Sequence, residues 1–293
     1  MKTRILSGIM MGIIVAAFLL LGMKVSSIFI TLFIAVLASM AIYELLKNVA
    51  KVTSKLATTG TMVFAFLFIL SKSDWLTTIR PIYNMVTGEN VAVITFEPYL
   101  TLKEYLPIII CVVFFLFAVF MVLKEHKDFS LMQICMLCGM PFPVVYAFNS
   151  LGGVLNSGDT IYYLLLLFNF SSICDMGAYF SGVTLGKHKL CPEISPKKTV
   201  EGAIGGILSS IIFGVVFCLA FSHSDKLVAT ILLTIPLCIV GMLGDLFASA
   251  IKRSVGLKDY SNLIPGHGGI LDRLDSMLLI SPLLNLFILM GVL

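Results

Sequence analysis

The feature that most constrains this chain is a series of apolar runs, each near the length that spans a bilayer. They fall at about 5–23, 25–46, 57–70, 105–123, 129–149, 161–183, 203–221, 227–250 and 277–293. Hydrocarbon gives a backbone N–H or C=O no partner, so such runs must satisfy their own hydrogen bonds as helices. No run alternates with period two over the length a barrel strand needs. The reading is an all-α, polytopic membrane protein of about nine transmembrane helices.

Composition excludes the alternatives. Charged residues are 12% and apolar residues 59%, against about 25% and 45–50% in soluble domains. A chain of 293 residues cannot hide that much apolar surface in a soluble fold. A soluble enzyme, a disordered chain and a secreted disulfide scaffold are thereby set aside. The net charge of +4 is small and scattered, which argues against nucleic acid as a partner. The seven cysteines read as free thiols, and Cys135-x-x-Cys138 lacks the second ligand pair of a zinc site. Lys2 and Arg4 precede an apolar run longer than a signal-peptide core and without a following A-x-A site, so that run reads as a helix that stays.

Orientation follows from the basic residues. With the N-terminus in the cytoplasm, fifteen of the twenty Lys and Arg face the cytoplasm, the expected asymmetry. Nine spans then run N-in and C-out. The chain divides into an N-terminal group of five helices, 1–150, and a C-terminal region, 151–293. The external stretch 71–104, with Trp75 and Tyr83 as interface anchors, shows no chemistry. Two Gly-x-x-x-Gly spacings, Gly8/Gly12 and Gly202/Gly206, favour close helix packing.

Polar residues concentrate in two cytoplasmic loops of the C-terminal region, 184–202 and 251–276. Asp175 ends an apolar helix ahead of the first. Ser195-Pro196 breaks the chain, Lys197, Lys198 and Thr199 follow, and Glu201-Gly202 opens the next helix. Cationic side chains before a helix N-terminus suit a phosphate; the plainer alternative is a positive-inside loop with a capped helix. In the second stretch Asp245, Ser249, Lys252 and Arg253 are spaced i, i+4, i+7, i+8, one face of a helix. Lys258, the turn Pro265-Gly266-His267-Gly268-Gly269, and Asp272, Arg273 and Asp275 follow. An acid within an apolar run needs a partner or ligand. Carboxylates beside Lys and Arg are what Mg²⁺-assisted phosphoryl chemistry uses; the plainer alternative pairs Asp245 with Arg253 and Asp272 with Arg273.

The stretch Ser249-x-Ile251-Lys252-Arg253-x4-Lys258-Asp259-x4-Ile264-Pro265-Gly266-His267-Gly268-Gly269-Ile270-x-Asp272-Arg273-Leu274-Asp275 resembles the signature of phosphatidate cytidylyltransferases. The stretch from Asp175-x-Gly177-Ala178-Tyr179 through Ser195-Pro196-Lys197-Lys198-Thr199-x-Glu201-Gly202 resembles that family's second common block. Together they cover about 100 residues; the first 150 resemble the family only in hydropathy and in Glu44. The resemblance implies conversion of CTP and phosphatidate to CDP-diacylglycerol and pyrophosphate, at a cytoplasm-facing site in a bacterial inner membrane. It implies Mg²⁺, with room for a second cation, on Asp245 and Asp272. Lys197, Lys198, Lys252 and Arg253 would meet phosphates, and Asp175, Ser195, Thr199, Ser249, Lys258 and Arg273 would contact substrate. His267 would either touch ligand or fix its loop, and Asp259 and Asp275 would support the site. Membrane lipids are implied partners, and a homodimer is compatible with this reading. Two rivals stay open: a secondary transporter, which would place polar residues near the midplane in matching halves, and a polyprenol kinase-like lipid phosphotransferase.

Overall fold

The computed structural model describes residues 2–73, 97–126 and 129–293; Trp75, Tyr83 and most of the stretch 71–104 lie outside them. Among the described residues, eight helices are long and apolar enough to cross a membrane. The last apolar run is also helical, but its helix opens on Asp272, Arg273 and Asp275, and these charges set it apart from the eight. The only strands among the described residues form one short hairpin.

The chain divides into two compact units. The first is Met1–Gly152 with Asp259–Arg273, and the second is Gly153–Lys258 with Leu274–Leu293. The second polar loop is thus shared out, its glycine-rich part belonging with the N-terminal helices.

In the first unit, α1 (Lys2–Lys24) leads to α2 (Ile28–Glu44), which runs on through a π turn, Leu45–Val49. Next come α3 (Lys55–Lys72), α4 (Glu97–Lys124), α5 (Leu131–Cys138) and α6 (Pro141–Leu155). Two of these helices, α3 and α5, start on ordinary side-chain caps. The Ser54 hydroxyl accepts from Ala57 N, and Ser130 and Gln133 form a reciprocal capping box, satisfying amides that the first turn leaves without partners. Ala35, Ala38 and Ala41 are fully buried on α2, and the Ser39 hydroxyl there contacts Met62 O of α3 at 3.1 Å. Phe64 and Phe114 stack across α3 and α4 with centroids 4.0 Å apart. Ile108, Val112, Leu116 and Phe120 stand exposed at every fourth position of α4, the outward stripe of a helix that faces lipid rather than water.

In the second unit, α7 (Thr160–Phe168) passes through a π turn, Asn169–Ile173, into α8 (Cys174–Leu185). The hairpin β1 (Lys189–Cys191) and β2 (Ser195–Thr199) precedes α9 (Val200–Ala220) and α10 (Leu227–Ser254). Most of α11 (Leu271–Leu289) belongs here too. The π turn is anchored by fully buried Asn169, whose Nδ2 donates to Ser210 O at 2.9 Å while the Ser210 hydroxyl donates back to Asn169 O at 3.1 Å. Such a turn adds a residue to the helix and changes the face that follows.

Glycine sets the spacing of α8 and α9. A Cβ on Gly202 would lie 2.7 Å from Ala178 O, and one on Gly206 would lie 2.6 Å from Cys174 O. Gly202/Gly206 is therefore a helix-contact pair, as its spacing predicts. Gly8/Gly12 is not. A Cβ on Gly12 would meet nothing within 4 Å among the described residues, and Gly8 faces the His267 ring. Sequence spacing alone does not say which side of a helix meets a neighbour.

Overpacking a close contact costs about 1–3 kcal/mol. Gly206→Val should therefore lower the melting temperature of the detergent-solubilised protein by several degrees, whereas Gly12→Ala should leave it unchanged. Equal melting curves for both variants would refute the close contact.

Candidate functional site

A pocket of about 640 Å³ lies within the second unit, a size that accepts a nucleotide-scale ligand. One wall is α8, contributing Asp175, Tyr179 and Val183; the hairpin supplies Lys189, Ser195, Lys197, Lys198 and Thr199. The start of α9 adds Gly202, and α10 adds Asp245. The close approach of α8 and α9 through glycine brings these groups to one cavity. Asp175 lies in the first turn after the π turn.

Lys198 Nζ stands 2.5 Å from Asp245 Oδ2, with each side chain about a quarter exposed. Asp245 thus pairs with a lysine from β2, 47 residues earlier in the chain, and not with the neighbouring Arg253. Hairpin pairing makes this happen: Lys189 opposes Thr199 and Cys191 opposes Ser195 across an irregular antiparallel register. The sequence predicts a proline-broken loop here, and the structure has a hairpin instead. Pro196 lies within its second strand, tolerated because a two-stranded ribbon is all edge.

The Thr199 hydroxyl accepts from Gly202 N at 3.1 Å, making Thr199 the N-cap of α9. Glu201 bonds back to the hairpin, accepting from Lys187 N at 3.0 Å and from His188 N at 3.2 Å, with His188 Nδ1 at 2.6 Å. Lys197 and Lys189 are exposed on the hairpin.

On α10 Asp245, Ser249, Lys252 and Arg253 keep the helical spacing that puts them on one face, but their surroundings differ. Lys252 is buried, whereas Arg253 is exposed and its Nη1 donates to Leu257 O at 3.3 Å. Ser249 is part-exposed and Lys258 exposed; the pocket includes Asp245 but none of these four. A Cβ on Gly244 would lie 2.9 Å from Asp275 O, so α10 and α11 also meet closely.

In the first unit, the glycine-rich loop is held from several sides. Gly266 and Gly268 have positive φ, 78° and 85°, the freedom the sequence pattern calls for. Asp272 Oδ2 accepts from Tyr260 N at 2.7 Å and from Gly269 N at 2.9 Å. Arg273 Nε donates to His267 O at 2.7 Å. His267 Nδ1 is 2.9 Å from the Ser7 hydroxyl, which itself donates to Pro265 O at 2.9 Å. Ser7 has a single proton to give, so this geometry has His267 donate through Nδ1 and keeps the ring in the loop's own bonding.

Two polar groups outside the expected set hold this loop. Asn48 Nδ2 donates to Tyr260 O at 2.8 Å. Glu44, 1% exposed, accepts from Ser261 Oγ at 2.6 Å, Ile270 N at 2.8 Å and Leu271 N at 3.0 Å. Its signal in the sequence was an acid at the end of an apolar run, though nothing local named its partners.

Comparison with known proteins gives the family of the chain. The model of the cytidylyltransferase family matches residues 2–290. A phosphatidate cytidylyltransferase of Staphylococcus haemolyticus is 42% identical over 160 residues, 55% of this chain and 58% of that protein. One from Staphylococcus epidermidis is 46% identical over 126 residues, 43% and 48% of the two chains. One from Bacillus subtilis is 50% identical over 110 residues, 38% and 41% of the two chains. The aligned part spans about half the length of these curated relatives.

The cap geometry separates a structural Thr199 from a purely ligand-binding one. Thr199→Ala should destabilise the protein by about 1 kcal/mol, the usual cost of a lost N-cap, and Thr199→Ser by much less. Thermal denaturation in detergent checks this; an unchanged Thr199→Ala would show that the hydroxyl does not cap α9.

Proposed function

The chain belongs to the cytidylyltransferase family, and from that premise we propose that it joins CTP to phosphatidate, giving CDP-diacylglycerol and pyrophosphate. The observation that carries the reading is a pocket lined both by lysines and carboxylates and by exposed Tyr179 and Val183. Those two residues belong to a helix apolar enough to cross a membrane. Such a pocket suits a substrate whose phosphate needs cations while its acyl chains stay in lipid.

In this reading an oxygen of the phosphatidate phosphate attacks the α-phosphorus of CTP, and the bond to the β-phosphate oxygen breaks to release pyrophosphate. The attacking oxygen is already anionic, so no strong general base is needed. Catalysis then rests on positioning and charge neutralisation. Lys197 and Lys198 meet the polyphosphate, and the pocket wall around Asp175 receives the nucleoside part.

The residues fit a divalent cation. Asp245 gives the pocket a hard oxygen donor, and the Lys198 ammonium against it marks that carboxylate as one that accepts a positive charge. Mg²⁺ commonly uses one or two carboxylates together with substrate phosphates. When bound, it supplies neutralisation of charge on the phosphate oxygens. Asp245 would hold it, leaving Lys198 for the nucleotide.

The purified protein should release pyrophosphate and form CDP-diacylglycerol from CTP, phosphatidate and Mg²⁺. Lys198→Met should lose at least about tenfold in kcat/KM, roughly 1.4 kcal/mol. Asp245→Asn should lose more and respond weakly to added Mg²⁺. Absence of product from the wild type, or full activity in both variants, would remove this assignment.

The same reading places the site in a bacterial inner membrane, facing the cytoplasm. In a chain cleared of its own cysteines, Lys189→Cys and Lys258→Cys should both react with an impermeant maleimide from the cytoplasmic side alone. Labelling of the two from opposite sides would contradict the orientation.

A further inference from the structure

Five consecutive amides of the glycine-rich loop are bonded within the protein. His267 N and Gly268 N donate to Ile264 O, at 2.9 and 3.1 Å. Gly269 N donates to Asp272 Oδ2 at 2.9 Å, and Ile270 N and Leu271 N to Glu44 Oε1 and Oε2 at 2.8 and 3.0 Å. A glycine-rich loop entering a helix is the usual place for a ligand's phosphate, because its amides and the helix dipole favour an anion. Here the anion is a side chain from α2, 226 residues away from Ile270. Its third bond, from Ser261 Oγ, ties it to the other arm of the loop. Gly269 makes the arrangement fit: a Cβ there would lie 2.5 Å from Glu44 Oε1.

We infer that Glu44 is a positioning residue, the built-in anion of this loop, which fills the N-terminus of α11 and fixes the backbone from which Asp272 and Arg273 project. A carboxylate bound to two successive amides sets both the position and the tilt of that backbone. Gly269, bonded to Asp272, is the residue next to the first of those amides. Slack at Glu44 therefore reaches Asp272 directly. The inference rests on the proposed reaction for its consequence, since the family signature gives Asp272 and Arg273 to metal and substrate, and misplacing them should slow turnover. It also makes the loop a poor cradle for CTP phosphates, because its amides are already used.

The test uses the full-length protein with CTP, phosphatidate and Mg²⁺, and reads kinetics and amide hydrogen exchange together. Glu44→Gln keeps the shape but turns an NH₂ toward an amide that needs an acceptor. Its kcat should fall at least about tenfold, with KM for CTP within about twofold of wild type. Exchange across 259–273 should quicken. Glu44→Asp, with its charge retained on a shorter stem, should fall between the two. Quickened exchange with wild-type kcat would make Glu44 a scaffold residue only and overturn the inference. So would unchanged exchange, or a loss confined to KM for CTP. Should Glu44→Gln fail to fold, Ser261→Ala removes one donor alone; its kcat should drop about threefold with the same exchange signature, and wild-type kcat would overturn the inference. An inactive wild type would instead strike the proposed reaction, whereas an active wild type beside an indifferent Glu44→Gln would strike only the role given to Glu44.

Discussion

Hydrocarbon offers no hydrogen bonds, and every polar group in helices of this kind must find its partner inside the protein. The two units meet that demand in the same way, by bonding a charge on one element to groups far away in the chain. In the first unit, the carboxylate of Glu44 takes two amides and a hydroxyl from the loop 259–273. In the second, Asp245 takes the Lys198 ammonium. Asn169 and Ser210 repeat the pattern with neutral groups, exchanging bonds with each other's backbone between a π turn and α9. These pairings decide which polar side chains stand together, because an unpaired charge at those positions would be too costly to keep.

Close helix approach does the rest in the second unit. Without side chains at Gly202 and Gly206, the backbones of α8 and α9 come near enough for Asp175, the hairpin lysines and the start of α9 to share one pocket. Dispersion and backbone fit, not the hydrophobic effect, favour such contacts in lipid. The hairpin then acts as a lever. Its last residue, Thr199, caps α9, its base is clasped by Glu201, and its second strand carries Lys198 to Asp245. The same residues that build the helix start also build the cationic edge of the pocket.

The glycine-rich loop and the lysine hairpin therefore play different physical parts. The loop spends three of its five successive amides on the protein's own carboxylates and two on its own Ile264 carbonyl, which fits holding side chains in place. The hairpin keeps exposed lysines at a cavity that α8 also lines with Tyr179 and Val183, which fits receiving a charged head group. In the proposed transfer to phosphatidate, this is a division between positioning and charge neutralisation.

Much was legible in the chain itself. Apolar runs near bilayer length, with few charges, admit only helices, and the structure has them. Local spacing also predicted the Gly202/Gly206 contact and the unusual backbone at Gly266 and Gly268. What it left open depends on register between elements distant in sequence. Gly8/Gly12 has the same spacing as Gly202/Gly206, yet among the described residues only the second pair packs against a neighbouring helix. Asp245 has Arg253 two turns away on its own helix but pairs with Lys198 of the hairpin. Glu44 is visibly out of place in an apolar run, but its partners lie more than 200 residues on. Helix periodicity and the needs of the backbone in lipid are local, and the sequence determines them. Which buried charge meets which amide or ammonium is a global packing solution, and only the tertiary structure decides it.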